Sequence, residues 1–331
     1  MYTVKEVGIS EWDSYIDKCQ KINMLQSWQY GDAKQQSSRW KAIRFKVLND
    51  KREVIAIMQL LSMALPIIGG VARMNRGPLL IGDVDLSLSE KIAANIIAAL
   101  IQESKKRRWW LIQIAPEMKD TENASKYLSD LGLIKQDVAP SASGLVLLEP
   151  DEESLIMGFK GKWRNCLRKG QKLGLSITIK EGDSSDLSIL LKSYQQLQNA
   201  KGFSGLPDNL ISALAKQSGN KWQFTLYIAI DKSLTELDKT VGMLVGIRHG
   251  DTATYIIGSS NDTGRKLQAN YTLLWKAILH SKEIGCKWFD IGGLNATTPS
   301  GIAHFKKGVN SEIYSLIGEW RMFIFPWTKN Q

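Results

Sequence analysis

Two segments of the sequence carry side chains suited to chemistry. Residues 159–172 (FKGKWRNCLRKGQK) contain six basic residues and no acid. Residues 288–308 (WFDIGGLNATTPSGIAHFKKG) run from a strand-like segment through two glycines into a short helix with Phe305, Lys306 and Lys307. The cations of the first segment suit phosphate groups. A lysine at the end of a sheet, as in the second, can hold a phosphate or stabilise an oxyanion.

The basic segment predicts a helix with charged faces. Residues three or four apart share a side of a helix, which groups Lys162, Lys169 and Lys172 on one side and Arg164, Arg168 and Gln171 on another. Like charges at this density repel unless an anion neutralises them. We therefore expect the helix to bind nucleic-acid phosphates, with Trp163 stacking on a base. A solvated helix that attracts only counterions is the alternative.

The sequence lacks the signatures of several other enzyme classes. It contains no GxxxxGK[ST] loop, no GxSxG elbow and no metal-ligand spacing among its three histidines, at positions 249, 280 and 304. The three cysteines, at positions 19, 166 and 286, form no CxxC pair, which argues against a zinc site or a disulfide framework. We expect no metal and no other cofactor.

One turn bears on coenzyme A as an acyl carrier. Acetyltransferases bind its pyrophosphate at a Q/R-x-x-G-x-G/A turn that opens a helix. At the corresponding place residues 265–270 read RKLQAN and lack both glycines. Arg265 and Lys266 would still attract an anion, but the sequence disfavours coenzyme A.

Two similar runs of elements must position these segments. The first half predicts strands at 41–49, 53–64 and 67–77, a helix at 87–106 and a strand at 109–115. The second half predicts strands at 222–230, 239–248 and 252–260, a helix at 265–284 and a strand at 287–291. In both halves a helix leads through a basic turn into a strand that begins with tryptophan, Trp109 or Trp288. This indicates duplication of one unit, a β-meander followed by a βαβ crossover.

Other elements complete the expected chain. Helices are predicted at 11–20, capped by Ser10, and at 152–172, 186–200 and 208–217, with strands at 2–7 and 174–180. A hinge is expected at residues 149–151. A last strand, at 312–325, follows the complete second repeat and must pair with one of the two sheets.

Net charge and hydropathy indicate which partners and which cellular compartment to expect. The chain has 43 Lys and Arg against 33 Asp and Glu, a net charge of +10, which favours polyanionic partners. The first residues lack an apolar signal region. The apolar stretch at 54–68 contains Gln59 and Ser62 and is too short to span a membrane. We expect a cytoplasmic protein.

Short motifs along nearly the whole chain resemble, in order, those of the Fem family of peptidoglycan-bridge aminoacyltransferases. They are the helix from Trp28 to Lys34, Asn75-Arg-Gly-Pro78, the basic helix at 160–174, Tyr255-Ile-Ile-Gly-Ser259, Asn270-Tyr-Thr-Leu-Leu-Trp275, Phe289-Asp-Ile-Gly-Gly293 and Gly301-Ile-Ala-His-Phe-Lys306. Each motif is short, but the ordered set is specific. The long charged arm of some relatives is missing between residues 180 and 220, which is typical of compact, armless members.

The resemblance implies an α+β fold of two tandem acetyltransferase-like (GNAT) lobes, each a mixed sheet flanked by helices. Residues 1–149 with 316–331 would form the first, acceptor-binding lobe, and residues 150–315 the second, on the aminoacyl-tRNA side. The activity implied is transfer of an aminoacyl group from aminoacyl-tRNA to an amine of a peptidoglycan precursor stem peptide, a step in cell-wall biogenesis and cell shape. The acceptor would be a UDP-linked or lipid-linked muropeptide. The enzyme would be a monomer in peripheral contact with the inner membrane face.

The resemblance also assigns site residues. Phe305 and Lys306 form the transfer-site pair, and Lys34, Arg76 and Tyr255 contact the acceptor. The expected contacts to transfer RNA come from the basic segment itself and are Lys160, Lys162, Arg164, Arg168 and Lys169.

Two positions depart from the family pattern. Ala115 precedes Pro116 where relatives often have an acid, so that position supplies no general base. Lys201 stands near the place of an acceptor-binding arginine, and a lysine holds phosphate as a point charge rather than as a fork.

Two other functions stay open on the sequence. One is a coenzyme A-dependent N-acyltransferase acting on an envelope polysaccharide or a small amine. The other is a non-catalytic RNA-binding protein, which would explain the charge but not the acceptor-side motifs. The sequence does not determine which amino acid is transferred or which acceptor receives it.

Overall fold

The computed structural model describes residues 2–65, 69–82, 84–235 and 238–324, without the side chains of residues 86 and 87. The chain divides into two units: Met1–Ala142 with Ser315–Gln331, and Ser143–Tyr314. Each unit has its own mixed sheet.

The first unit is a sheet with helices. Its elements in chain order are β1 (Thr3–Glu6), α1 (Ile9–Ile16), a 3-10 turn (Met24–Gln26), α2 (Trp28–Ser37), β2 (Lys41–Leu48), β3 (Val54–Leu65), β4 (Gly69–Asn75), β5 (Leu79–Leu80), α3 (Leu86–Lys106), β6 (Trp109–Ala115), α4 (Glu122–Asp130) and β7 (Ile134–Lys135). β2, β3 and β4 pair antiparallel, and β6 adds to β4 in parallel after the α3 crossover. The Asp85 side chain caps α3 by accepting from the Leu88 N–H at 2.9 Å.

The second unit repeats this plan. Its elements are β8 (Ala142–Leu147), α5 (Glu152–Gly158), α6 (Gly161–Lys172), β9 (Ser176–Glu181), α7 (Asp186–Lys201), α8 (Asp208–Ala215), β10 (Trp222–Ile230), β11 (Thr240–His249), β12 (Thr252–Ser260), α9 (Asp262–Lys266), α10 (Ala269–Glu283), β13 (Trp288–Asp290), α11 (Ser300–Lys306), a 3-10 turn (Lys307–Val309) and β14 (Glu312–Ser315). β10, β11 and β12 pair antiparallel, and β13 adds to β12 in parallel after α10. The last described strand, β15 (Trp320–Phe323), pairs antiparallel with β6 and with β7.

The same order of three antiparallel strands, a crossover helix and a parallel strand therefore occurs twice. The predicted α+β fold of two acetyltransferase-like lobes is confirmed. The chain enters the second unit after Ala142, whereas the sequence placed the boundary after Glu149. The difference arises because β8, which the sequence did not reveal, pairs antiparallel with β13 in the second sheet.

Each sheet buries an apolar core against its crossover helix. In the first unit α3 contributes Ile96, Ile97 and Leu100, all fully buried. In the second, α10 buries Leu273 and Ile278 in the corresponding way. Residues spaced by three or four positions form these apolar faces, which is why the sequence predicted both helices. No helix among the described residues is long and apolar enough to cross a membrane.

Three predicted helices are wrong in detail: two are interrupted, and one begins earlier than predicted. The helix predicted at 152–172 is two helices, because the chain is extended at Phe159. The helix predicted at 265–284 is also two, because Gln268 lies in the left-handed region at φ 60°. The first helix begins at Ile9 with Gly8 as its N-cap, so Ser10 lies inside the helix and does not cap it.

The predicted last strand is also wrong as one element. Residues 312–325 form β14 at the edge of the second sheet and β15 in the first, with Gly318 between them at φ 92°. Only glycine adopts such a φ without strain, so the chain turns there and changes sheets. Residues 67 and 68 of the predicted third strand, and residues 325–331, lie outside the described part of the chain.

Candidate active site

Lys306, the last residue of α11, is buried in the second unit. Its side chain is 6% exposed. The Nζ ammonium donates to the Gly293 carbonyl at 3.3 Å and lies 4.7 Å from the centroid of the Tyr255 ring. Burial lowers the pKa of Lys306 to about 8, and the nearby charge of Asp290 partly opposes this shift. The group is therefore a buried cation close to its titration range at neutral pH.

β12 lines this site with residues 255–258, which follow the point where its pairing with β13 ends. Their parallel ladder ends with the pair Thr254 and Asp290, whereas β12 runs on to Ser260. The pairing of β11 with β12 shifts register between Val245 and Gly246, leaving one extra residue on β12. Such a bulge changes the direction of neighbouring side chains and is common beside active sites.

Tyr255 directly precedes Ile256, the extra residue of this bulge. Burial raises the pKa of Tyr255 above its ordinary value, so the phenol stays neutral and offers the face of its ring to the Lys306 ammonium. The hydroxyl lies so close to Gly258 that a Cβ at residue 258 would overlap it.

A tight turn brings Lys306 to the strand ends. Gly292 has φ 71°, and a Cβ there would lie 2.5 Å from the Tyr255 carbonyl oxygen and 3.1 Å from Lys306 Nζ. Glycine is thus needed at residue 292 both for its conformation and for the close approach of the lysine.

A cavity of about 340 Å³ opens beside Lys306. α7 and the segment after it contribute Tyr194 and Phe203, β12 contributes Tyr255, and the segment leading into α11 contributes Thr298 and Ile302. Apart from Lys306, every lining side chain in the described part of the chain is uncharged. Such a site, with one buried cation and mostly apolar walls, suits a ligand in which a single oxygen gains negative charge.

In the first unit the backbone pairing continues beyond the equivalent strand ends. There the ladder of β4 and β6 extends to Asn75 and Ala115. Beyond it the Arg76 N–H donates to the Ala115 carbonyl at 2.6 Å, and the Glu117 N–H donates to the Gly77 carbonyl at 3.3 Å. The two copies of the repeat therefore differ at the place where the second one has its lysine and cavity.

Phe305, predicted as the partner of Lys306, packs elsewhere. Its ring lies 6.2 Å from Trp163 and 5.1 Å from Tyr271, measured between centroids. Its carbonyl accepts from the Trp163 indole N–H at 3.1 Å. Phe305 thus joins α11 to α6 and α10, and a role in transfer stays a prediction.

The basic helix α6 turns its apolar residues inward. Trp163, Leu167 and Gly170 are buried. Lys160, Lys162, Arg168 and Lys169 are exposed, and Arg164 is half-buried and donates to the Met157 carbonyl at 2.7 Å. The prediction that Trp163 stacks on a base is wrong, because its indole is 3% exposed and packs on Phe159, Tyr271 and Phe305. Four of the five predicted tRNA residues are thus exposed, on more than one side of α6, and their contact with tRNA stays a prediction.

The other predicted acceptor residues, Lys34 and Arg76, belong to the first unit. Arg76 makes a bidentate pair with Glu117, at 2.6 and 2.7 Å. Lys34 on α2 is half-buried, and its pKa is lowered by burial and, to a smaller extent, by the positive charge of Arg73. Tyr255, the third predicted residue, lies in the second unit beside Lys306.

The turn at residues 265–270 offers no glycine-lined cradle. Arg265 pairs with Asp262 and donates to the Ser260 carbonyl at 2.8 Å. Gly264 is packed against the Val241 carbonyl so closely that no Cβ fits. The first turn of α9 is thus filled by the chain itself.

Sequence reasoning missed Asp290 and the cavity walls from α7. Asp290 is 5% exposed and lies at the end of β13. An acid directly before a Gly-Gly turn, after a buried strand, is the signal that could have found it. Tyr194 and Phe203 lie far from the other site residues in the sequence and carry no local signal. Among the described residues no group of His, Cys, Asp and Glu could hold a metal.

Residues 239–328 match the model of the FemAB family. Among solved structures, the crystal structure of FemX has a TM-score of 0.77 at 16% identity and covers 97% of each chain. The structure of L-PGS from Bacillus licheniformis has a TM-score of 0.52 at 10% identity, covering 96% of this chain and 93% of that one. A tandem GNAT protein from the clavulanic acid biosynthesis pathway has a TM-score of 0.50 at 11% identity and covers 98% of each chain.

No curated protein matches the sequence. The structural likenesses establish the fold, two GNAT-like lobes in tandem. The matched residues 239–328 include β12, the 292–293 turn and Lys306. Residues 239–328 thus resemble the FemAB family, and the fold of nearly the whole chain resembles that of FemX.

Proposed function

We propose that this protein is an aminoacyltransferase that moves an aminoacyl group from aminoacyl-tRNA to an amine of a peptidoglycan precursor stem peptide. The observation that carries the proposal is the buried Lys306 ammonium at the wall of an otherwise uncharged cavity. The FemAB match over the same segment supports a transferase of the peptidoglycan bridge.

The chemistry asks little of the protein beyond positioning. An aminoacyl ester is already activated, so a neutral amine attacks its carbonyl carbon and forms a tetrahedral oxyanion. Holding the two reactants together can remove about 7–11 kcal/mol of the barrier. The intermediate then collapses: the C–N bond stays, the C–O bond to the ribose breaks, the nitrogen loses a proton and the ribose oxygen gains one.

Lys306 is suited to stabilise the oxyanion. An ammonium has three N–H donors, and the Gly293 carbonyl takes one of them. With a pKa of about 8, Lys306 is mostly charged at pH 7. Burial strengthens its attraction for a charge that develops only during the reaction.

The two partners bind at different places in this proposal. The exposed cations of α6 hold the phosphates of transfer RNA. Lys34, Arg76 and Tyr255 contact the muropeptide, which is UDP-linked or lipid-linked, and Glu117 fixes the direction of the Arg76 guanidinium. Because charged tRNA is a cytoplasmic substrate, we place the reaction in the cytoplasm, with peripheral contact to the inner membrane face for a lipid-linked acceptor. The enzyme acts as a monomer.

The proposal is tested by a transfer assay with a radiolabelled mixture of charged tRNAs and with both muropeptide forms as acceptors. Label should appear on the muropeptide amine, and ribonuclease treatment of the donor should abolish transfer. Labelled acyl-coenzyme A serves as the competing donor. Transfer from it and not from charged tRNA would overturn the proposal. Co-purification of RNA with an inactive protein would instead support a binding role alone.

The cations of α6 predict a specific salt dependence. Replacing Lys160, Lys162, Arg164 and Arg168 by alanine should weaken tRNA binding. Each lost phosphate contact should lower the slope of log affinity against log salt by about 0.7–0.9. Fluorescence anisotropy with labelled tRNA at several salt concentrations measures this slope.

A matched variant controls for net charge. Four exposed lysines of the first unit, Lys5, Lys51, Lys91 and Lys126, can be replaced together. This variant loses the same charge but should keep the parent slope. Equal slopes in all three proteins would place the tRNA site away from α6.

A further inference from the structure

Three donors converge on the buried carboxylate of Asp290. Oδ1 accepts from the Ser143 hydroxyl and, at 2.8 Å, from the Gly292 N–H. Oδ2 accepts from the Tyr314 hydroxyl at 2.9 Å. An ionised carboxylate only accepts hydrogen bonds, so this set of donors fits the charged form of Asp290.

The same hydrogen bonds hold the turn beneath Lys306. The single hydrogen of the Ser143 hydroxyl is shared between the Asp290 carboxylate and the Gly292 carbonyl oxygen, the latter at 2.9 Å. The next carbonyl, of Gly293, accepts from Lys306 Nζ. The carboxylate therefore fixes the backbone whose oxygen orients the ammonium.

The negative charge of Asp290 also offsets part of the free energy needed to bury the Lys306 ammonium. Burial lowers the pKa of Lys306, and the negative charge of Asp290 raises it. Two phenols line the same cavity as Lys306, Tyr255 of β12 and Tyr194 of α7, and burial raises the pKa of both, so they are neutral. On α11 itself His304 is exposed, and so is Lys307, which follows the helix. Within the described residues, Asp290 is thus the anion that acts on the Lys306 ammonium.

The two side chains that donate to Asp290, those of Ser143 and Tyr314, come from opposite ends of the second unit. They are the first and last residues of the second unit. One carboxylate therefore joins the point where the chain enters the unit, the point where it leaves, and the turn that carries the Lys306 contact.

We propose that Asp290 is the positioning residue of this site: its carboxylate holds the 292–293 turn, whose Gly293 carbonyl accepts from the Lys306 ammonium. The inference rests on the proposed function only in that Lys306 serves transfer. The coupling between the two side chains can be measured without any substrate.

The test is a pH titration of Lys306 by ¹³C NMR of protein labelled at lysine Cε, with Lys306→Ala assigning the signal. In the parent the midpoint should lie near the pKa of about 8. In Asp290→Asn it should fall by at least about one pH unit, since a nearby opposite charge typically moves a pKa by about 1–3. Asp262→Asn removes an exposed acid of the same unit and should leave the midpoint unchanged. A folded Asp290→Asn protein with the parent midpoint would overturn the inference.

The transfer assay supplies a second reading. Lys306 must be protonated to stabilise an oxyanion, so activity that depends on it is lost as pH rises through its pKa. At pH 8 a one-unit fall in that pKa should slow the Asp290→Asn enzyme by about fivefold. At pH 6 the gap between variant and parent should narrow, because the lysine is charged in both. A gap that does not change with pH counts against the charge role. If the midpoint shifts but neither protein transfers, the proposed function fails and the positioning role stands.

A double variant keeps the inference testable if Asp290→Asn does not fold. Lys306→Met alone leaves the buried carboxylate without its cation, and Asp290→Asn alone leaves the cation without its anion; either loss is costly. Combining the two should restore thermal stability above that of the less stable single variant. A double variant that is no more stable than that single variant, or that also fails to fold, would show that the two side chains are not coupled.

Discussion

Replacing Lys306 by alanine should slow aminoacyl transfer by about 10²–10³-fold, the loss typical of one oxyanion donor. The reason is that the ammonium lies in a buried, otherwise uncharged cavity and holds donors in readiness for a charge that forms only in the transition state. Binding of the muropeptide should change far less, because the interaction is weak in the ground state. Single-turnover rates and acceptor affinity, measured on the same protein, separate the two effects.

Lys307 provides the matched control. It follows Lys306 directly and carries the same charge, but its side chain is exposed. Lys307→Ala should therefore transfer at nearly the parent rate. Small and equal effects at both positions would leave the transfer site unidentified. A large effect at Lys307 alone would indicate that Lys307 contacts the tRNA.

The sequence predicted the parts of the fold that rest on hydrophobic period. β10, β11, β12 and the α3 helix lie within a residue or two of their expected bounds because alternating or three-and-four spacing of apolar residues follows directly from burial. The duplication was visible for the same reason. Short strands such as β5, β7 and β8 were missed, because a few residues carry too little pattern.

The breaks within elements depend on tertiary contacts. Nothing local requires the chain to be extended at Phe159, where the ring packs on Trp163 and Trp275. The change of sheet near Gly318 likewise follows from where β14 and β15 find partners. Tertiary packing determines such breaks, and their only local signal in the sequence is a glycine.

The sequence predicted some residues of the candidate site but not their arrangement. Lys306 was identified from its motif, but its burial and its contact with Tyr255 needed the bulge in β12 and the turn at Gly292. Phe305, identified with it, packs toward α6. Asp290 could not be assigned a role because its partners, Ser143 and Tyr314, lie at the two ends of the second unit.

Replacing Trp163 by alanine should destabilise the second unit by about 3–5 kcal/mol, as for other buried tryptophans. The indole is 3% exposed, contacts Phe159, Tyr271 and Phe305, and donates its N–H to the Phe305 carbonyl. The space it fills is closed on one side by Gly308, where a Cβ would overlap the ring. These neighbours are rigid rings and a glycine backbone, which refill the cavity left by alanine poorly. Denaturant unfolding followed by circular dichroism measures the change.

Lys162, which precedes Trp163, provides the control that distinguishes an effect on packing from an effect on RNA binding. Lys162 is exposed on the same helix, so Lys162→Ala should change the unfolding free energy by less than about 0.5 kcal/mol while weakening tRNA binding through one lost phosphate contact. Trp163→Ala should lower the unfolding free energy strongly and change tRNA binding little, when binding is measured at temperatures where the variant remains folded. A Trp163→Ala protein with parent stability and weakened tRNA binding would put the indole at the RNA surface. Because Phe305, near the end of α11, packs on Trp163 of α6, a confirmed loss of stability would also show that this contact holds the basic helix and the Lys306 helix together.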